Sequence, residues 1–114
     1  MSNTHWTFLS SHAHVLVCLA RNPEATLREV ADKVGITERS AQRLIGNLDD
    51  ARIMRREKNG RRNYYVIDTG AQLRHPQEKH RTVGDLLETF LSPARLERLE
   101  KDLENYNARM SDRQ

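Results

Sequence analysis

A chain of 114 residues that is 37% hydrophobic and 31% charged reads as one soluble domain with a modest core. It has no run near the roughly 18 apolar residues that span a bilayer, and its polar start Met1-Ser2-Asn3-Thr4-His5 lacks the regions of a signal peptide, so a cytoplasmic location is expected. The net charge is only +3, yet Lys and Arg against Asp and Glu number 3 and 3 in residues 1–36, 8 and 4 in 37–64, 3 and 4 in 65–92, and 5 and 5 in 93–114; the positive excess is a localised stripe, the electrostatic footprint expected of a nucleic-acid-binding face.

In chain order, His12, Val15, Leu16 and Leu19 follow helical spacing and Asn22-Pro23 ends the pattern, which predicts a first helix from about Ser10 to Arg21 with Phe8 on the same face. Its one cysteine, Cys18, sits in the apolar run Val15–Leu19 and reads as a small buried hydrophobe. Thr26-Leu27-Arg28-Glu29 has the form of a capping box and opens a second helix with Leu27, Val30, Ala31 and Val34 on one face. Gly35 supplies the backbone freedom for a sharp exit. Thr37 can cap a third helix, whose inward positions Ala41, Leu44, Ile45 and Leu48 fall at i, i+3, i+4 and i+7. Small Ala31 at the crossing and Gly35 at the turn favour a helix-turn-helix over an ordinary helical hairpin.

Ile53–Lys58 and Asn63–Ile67 then flank Asn59-Gly60, a strong signal for a type I′ hairpin turn. A basic hairpin directly after a helix-turn-helix is a wing. Lys58, Arg61 and Arg62 lie at its tip, where flexible cations can meet phosphates or enter a minor groove, although a solubilising charged turn would look similar. The run from Ser11 to Asp68, including Leu27-Arg28-Glu29-Val30-Ala31, Val34-Gly35-Ile36-Thr37-Glu38-Arg39-Ser40 and Gly60-Arg61-Arg62-Asn63, resembles the winged-helix domain of MarR/ArsR-type transcriptional regulators over about half the chain. The resemblance implies a recognition helix at Thr37–Leu48 in the major groove and a wing at Lys58–Asn63 on the flanking backbone.

At about 100° per residue, the side of this helix opposite Ala41, Leu44 and Leu48 carries Arg39, Arg43, Gly46 and Asp50, with Gln42 and Asn47 beside them. Arg39 and Arg43 suit two-pronged contacts to guanine and Gln42 suits adenine. Thr37 and Ser40, near the positive helix end, suit phosphates. Gly46 allows close backbone approach or is simply a surface glycine.

After a polar linker, Thr69–Arg81, Thr82-Val83-Gly84-Asp85 can cap a short helix carrying Leu86, Leu87, Phe90 and Leu91, and Ser92-Pro93 restarts the chain as N-cap and N1 of a last helix. There Leu96, Leu99, Leu103, Tyr106 and Met110 are spaced 3, 4, 3 and 4, a seam that wants a partner helix and is expected to form a homodimer interface, with packing inside the chain as the alternative. The expected organisation is thus a DNA-binding domain at 1–68, a linker at 69–81 and a dimerisation segment at 82–114. The fold class is α+β, mainly α: a winged helix-turn-helix with a two-stranded wing and C-terminal dimerisation helices.

The candidate ligands or catalysts are His5, His12, His14, His75 and His80, with Cys18. His14 and Cys18 stand one helical turn apart, two ligands short of a closed zinc site. No nucleophile–base arrangement or glycine-rich phosphate loop is present, so neither a metal, a cofactor nor an enzymatic activity is expected. The expected partners are duplex DNA and a second copy of the chain, with no membrane. A chain this small leaves little room for an activation surface, which favours repression. The alternative is a winged-helix interaction module that binds protein or structured RNA.

Overall fold

The computed structural model describes residues 6–112, which form α1 (Ser11–Arg21), α2 (Leu27–Val34), α3 (Glu38–Asp50), β1 (Met54–Asn59), β2 (Arg62–Ile67), α4 (Val83–Glu88) and α5 (Pro93–Ser111). The fold is α+β and mainly helical, with one two-stranded antiparallel sheet, an arrangement compatible with a winged helix. No helix among the described residues is long and apolar enough to cross a membrane.

The five described helices start in the same way. Ser10, Thr26, Thr37, Thr82 and Ser92 hold extended backbone at the N-cap, and each hydroxyl accepts the amide proton of the residue three positions on. Such a cap satisfies one amide that the helix itself leaves without a partner. At Thr26 and Thr82 the box is complete, because Glu29 and Asp85 accept back from the N-cap amides at 2.7 and 3.0 Å. Two ends are also built alike. Gly35 closes α2 with φ 83, and the amides of Gly35 and Ile36 both reach Ala31 O. After α3, Arg52 takes the left-handed conformation with φ 62, while Arg52 N–H reaches Asp49 O and Ile53 N–H reaches Leu48 O. This is a Schellman termination with arginine where glycine is usual.

The hairpin pairs Met54 with Ile67 at its base and Asn59 with Arg62 at its tip. Its two-residue turn is therefore Gly60-Arg61, one position later than expected. Gly60 has φ 68, which fits a type II′ turn: only the first turn residue must be left-handed, so Arg61 is tolerated second and Asn59 stays in the ladder.

One hydrophobic core joins α1 (Val15, Leu16, Leu19), α2 (Val30, Ala31), α3 (Ala41, Leu44, Ile45, Leu48) and the hairpin (Met54, Tyr65, Ile67) to Val83, Leu87, Leu91 and Leu99. The C-terminal segment thus contributes Val83, Leu87, Leu91 and Leu99 to the same core as the first 68 residues. Residues 69–81 are likewise tied down: Gln72 bridges to Thr82, Leu73 N–H reaches Arg81 O at 3.0 Å, and Ala71 and Leu73 pack on the core. α4 is shorter than expected; Phe90 and Leu91 follow it, and both their amides turn back to Leu87 O.

Two apolar expectations are corrected. Phe8 does not extend the inward face of α1, because the helix begins only after the Ser10 cap; it is 94% exposed and stacks edge-on against Trp6 at 5.1 Å. The α5 seam is divided. Leu99 is 1% exposed inside its own chain and so is closed to a dimer interface, Leu96 is half-buried against the same core, and Leu103, Tyr106 and Met110 are half-buried farther along the helix. The reason is that α5 lies along β2 and against α1 and α4, which cover the first half of the seam.

Candidate nucleic-acid interface

α3 buries Ala41, Leu44, Ile45 and Leu48 and therefore turns Arg39, Gln42, Arg43 and Asn47 outward, all exposed. Ser40 is half-buried, and the Thr37 hydroxyl accepts the Ser40 amide at 3.0 Å, so Thr37 first serves the helix start. Asn47 is also engaged: its Nδ2 donates to Nε2 of His12 on α1 at 3.0 Å. Among the described residues nothing crowds Gly46, and a Cβ there would meet open space.

Strand alternation decides what the hairpin offers α3. Met54 and Ile67 pair inward at the base, so Arg56 and its partner Tyr65, two positions on, share that face. A groove results between α3 and the hairpin, with Gln42 and Ile45 on one wall, Arg56, Arg61 and Arg62 on the other, and the acid Glu24, the cap Thr26 and Leu27 of α2 also bordering it. Asn63 Oδ1 is buried on the same wall without a hydrogen-bond partner. Arg62 is partly spent on the fold, donating from Nη1 to Glu24 O at 3.2 Å. Arg61, in the turn, is exposed.

Sequence reasoning passed over Arg56. Period-two alternation from buried Met54 was the signal that could have found it. Arg55, on the opposite face, is a structural residue: its Nη1 donates to Asp49 O at 2.8 Å and to Asp49 Oδ1 at 3.1 Å, pinning the hairpin to the negative end of α3.

The far face of the hairpin is covered by α5. Tyr64 donates its hydroxyl proton to Asp102, Arg98 Nε reaches the same carboxylate at 3.4 Å, and Arg109 Nη2 pairs with Glu57 Oε1 at 2.6 Å. Burial and, after it, the Asp102 carboxylate raise the Tyr64 phenol above its ordinary value. Lys58 borders the depression on this α5 side. The structure therefore brings Gln42, Arg61 and Arg62 together and places Arg39 and Arg43 on the adjoining exposed face, while Lys58, exposed near the hairpin tip, pairs in the ladder with Asn63 of the groove wall.

Cys18 lies half-buried in a cleft between α1 and α2 that His14, Arg21 and Lys33 also border, and burial raises its thiol above the ordinary value. Among the described residues no group of three or more His, Cys, Asp or Glu is gathered as metal ligands; His5 lies outside the described residues. No protein-family model matches the chain, and no curated protein matches it in sequence.

Proposed function

We propose that the protein is a sequence-specific duplex-DNA-binding transcriptional regulator that acts as a homodimer and represses, without catalysis of its own. The observation that carries the reading is the cationic groove in which exposed α3 faces Arg56, Arg61 and Arg62 of the hairpin. An α-helix fits the major groove, and a neighbouring row of arginines fits the phosphates beside it. In this reading α3 is the recognition helix and the hairpin the wing, in line with the resemblance to MarR/ArsR-type regulators. Arg39 and Arg43 read bases, Gln42 reads from the groove side, and Arg56 and Arg61 hold the backbone. The dimer forms through the outer half of the α5 stripe, Leu103, Tyr106 and Met110. A two-fold pair would set the recognition helices about 34–36 Å apart and call for an inverted-repeat site.

Selection from random duplexes at two salt concentrations tests this. The expected result is an enriched inverted repeat, on which Arg43→Ala loses about 1–3 kcal/mol while binding to random DNA hardly changes. Salt-sensitive binding with no enriched sequence would remove the regulator reading. No duplex binding at either salt would favour a protein- or RNA-binding module.

A further inference from the structure

The excursion from Gln72 to Thr82 lies outside the groove just described, and its seat is informative. It closes like a hairpin, through the Gln72–Thr82 bridge and the bond from Leu73 N–H to Arg81 O, with Leu73 anchoring it to the core. Its tip is a compact turn in which the amides of Glu78 and Lys79 both reach His75 O and the Gln77 amide reaches His75 Nδ1. Residues 74–81 are all exposed and contain Arg74, Lys79 and Arg81 against the single acid Glu78, beside His75 and His80. The Thr82 amide, and to a smaller extent nearby Arg81, lower the Asp85 carboxyl at the start of α4.

Position along the α3 wheel then locates this loop. With about 100° per residue, Gln42 and Asp49 fall on one flank of the exposed face and Ser40 and Asn47 on the other. The hairpin meets the first flank, through the groove at Gln42 and the Arg55–Asp49 pair. Arg74 meets the second, bordering a hollow with His12, Asn47 and Asp50 toward the C-terminal end of α3. The exposed face of α3 is thus bounded by cations on both flanks.

We infer that the Gln72–Thr82 excursion is a second phosphate-binding wall, which meets the DNA backbone across the major groove from the strand held by the hairpin. The inference rests on the DNA-binding reading above. A helix lying in a major groove has a phosphate backbone on each side, and the hairpin reaches only one of them. Arg74 and Lys79 supply the cations for the other. Arg74 borders the same hollow as the Asp50 carboxylate.

The test is a salt titration of binding to a random-sequence duplex, with hydroxyl-radical footprinting on the selected site. For the variant Arg74→Gln/Lys79→Gln, the slope of log K against log salt should flatten by about two for each subunit bound, since each lost phosphate contact removes roughly 0.9. Within each half-site its footprint should lose protection on the strand opposite the one that Arg61→Gln exposes. Far-ultraviolet circular dichroism checks that both variants stay folded. A slope and footprint unchanged in the double variant, with Arg61→Gln still flattening the slope, would overturn the second wall and leave the DNA reading standing. A wild-type protein without affinity for any duplex would take both down together.

Discussion

Arg52 holds φ 62 although it carries a side chain. A left-handed residue other than glycine costs on the order of 1 kcal/mol, and here the Schellman bonds around it fix the exit of α3 toward β1. Arg52→Gly should therefore raise stability by about 0.5–1 kcal/mol in denaturant unfolding, and a destabilised variant would mean that the Arg52 side chain stabilises the fold by more than its backbone costs. Glu29 carries a second residue-scale expectation. The Thr26 amide, with the Thr26 hydroxyl after it, lowers the Glu29 carboxyl below its ordinary value. A lowered folded value gives stability that is present above the ordinary carboxylate range and lost as pH falls through the lowered one. The thermal midpoint should thus drop on acidification from roughly pH 5 to 3, and Glu29→Gln, which can still close the box without titrating, should drop less. An equal drop in both proteins would remove Glu29 from the acid response. The caps at Thr26, Thr37, Thr82 and Ser92 were legible because hydroxyl and recipient amide are three residues apart. Arg52 was not, because its conformation is imposed by the meeting of α3 and the hairpin.

α5 shows where legibility fails at the next scale. The spacing of Leu96, Leu99, Leu103, Tyr106 and Met110 announces an apolar stripe, but spacing does not say what covers it, and the cover is β2 and α1, far away in the chain. The same limit hid the Gln72–Thr82 loop, whose closing bonds are not local and whose cations were averaged away with Asp68, Asp85 and Glu88 in the segment charge. Hydroxyl caps and amphipathic faces need only neighbours, so the helices and the exposed side of α3 could be read directly. With Leu99 in the core, Leu99→Ala should cost about 2–5 kcal/mol in chemical unfolding. Leu99→Arg should unfold the chain outright, since it buries a charge without a partner. A folded, cooperative Leu99→Arg protein would contradict the packing of α5.

For the molecule as a whole, the divided stripe moves the proposed dimer contact outward. Tyr106→Glu/Met110→Glu alters only half-buried positions, so it should keep the helical signal and unfolding midpoint of the wild type while abolishing the dimer in sedimentation. A wild-type chain that sediments as a monomer at micromolar concentration would leave the outer stripe a solvent face.

The aromatic pair ahead of α1 has a practical consequence for any such measurement. Trp6 is the chain's only tryptophan, and it stands 64% exposed against Phe8, outside the core. Its fluorescence should already be red-shifted and open to iodide quenching in the native protein, and should change little as the core melts. Emission and circular dichroism would then trace different curves, and their mismatch would mimic an intermediate where the core itself unfolds in one step. A tryptophan placed at Tyr65, which is buried between hairpin and core, would restore an optical signal that follows the fold.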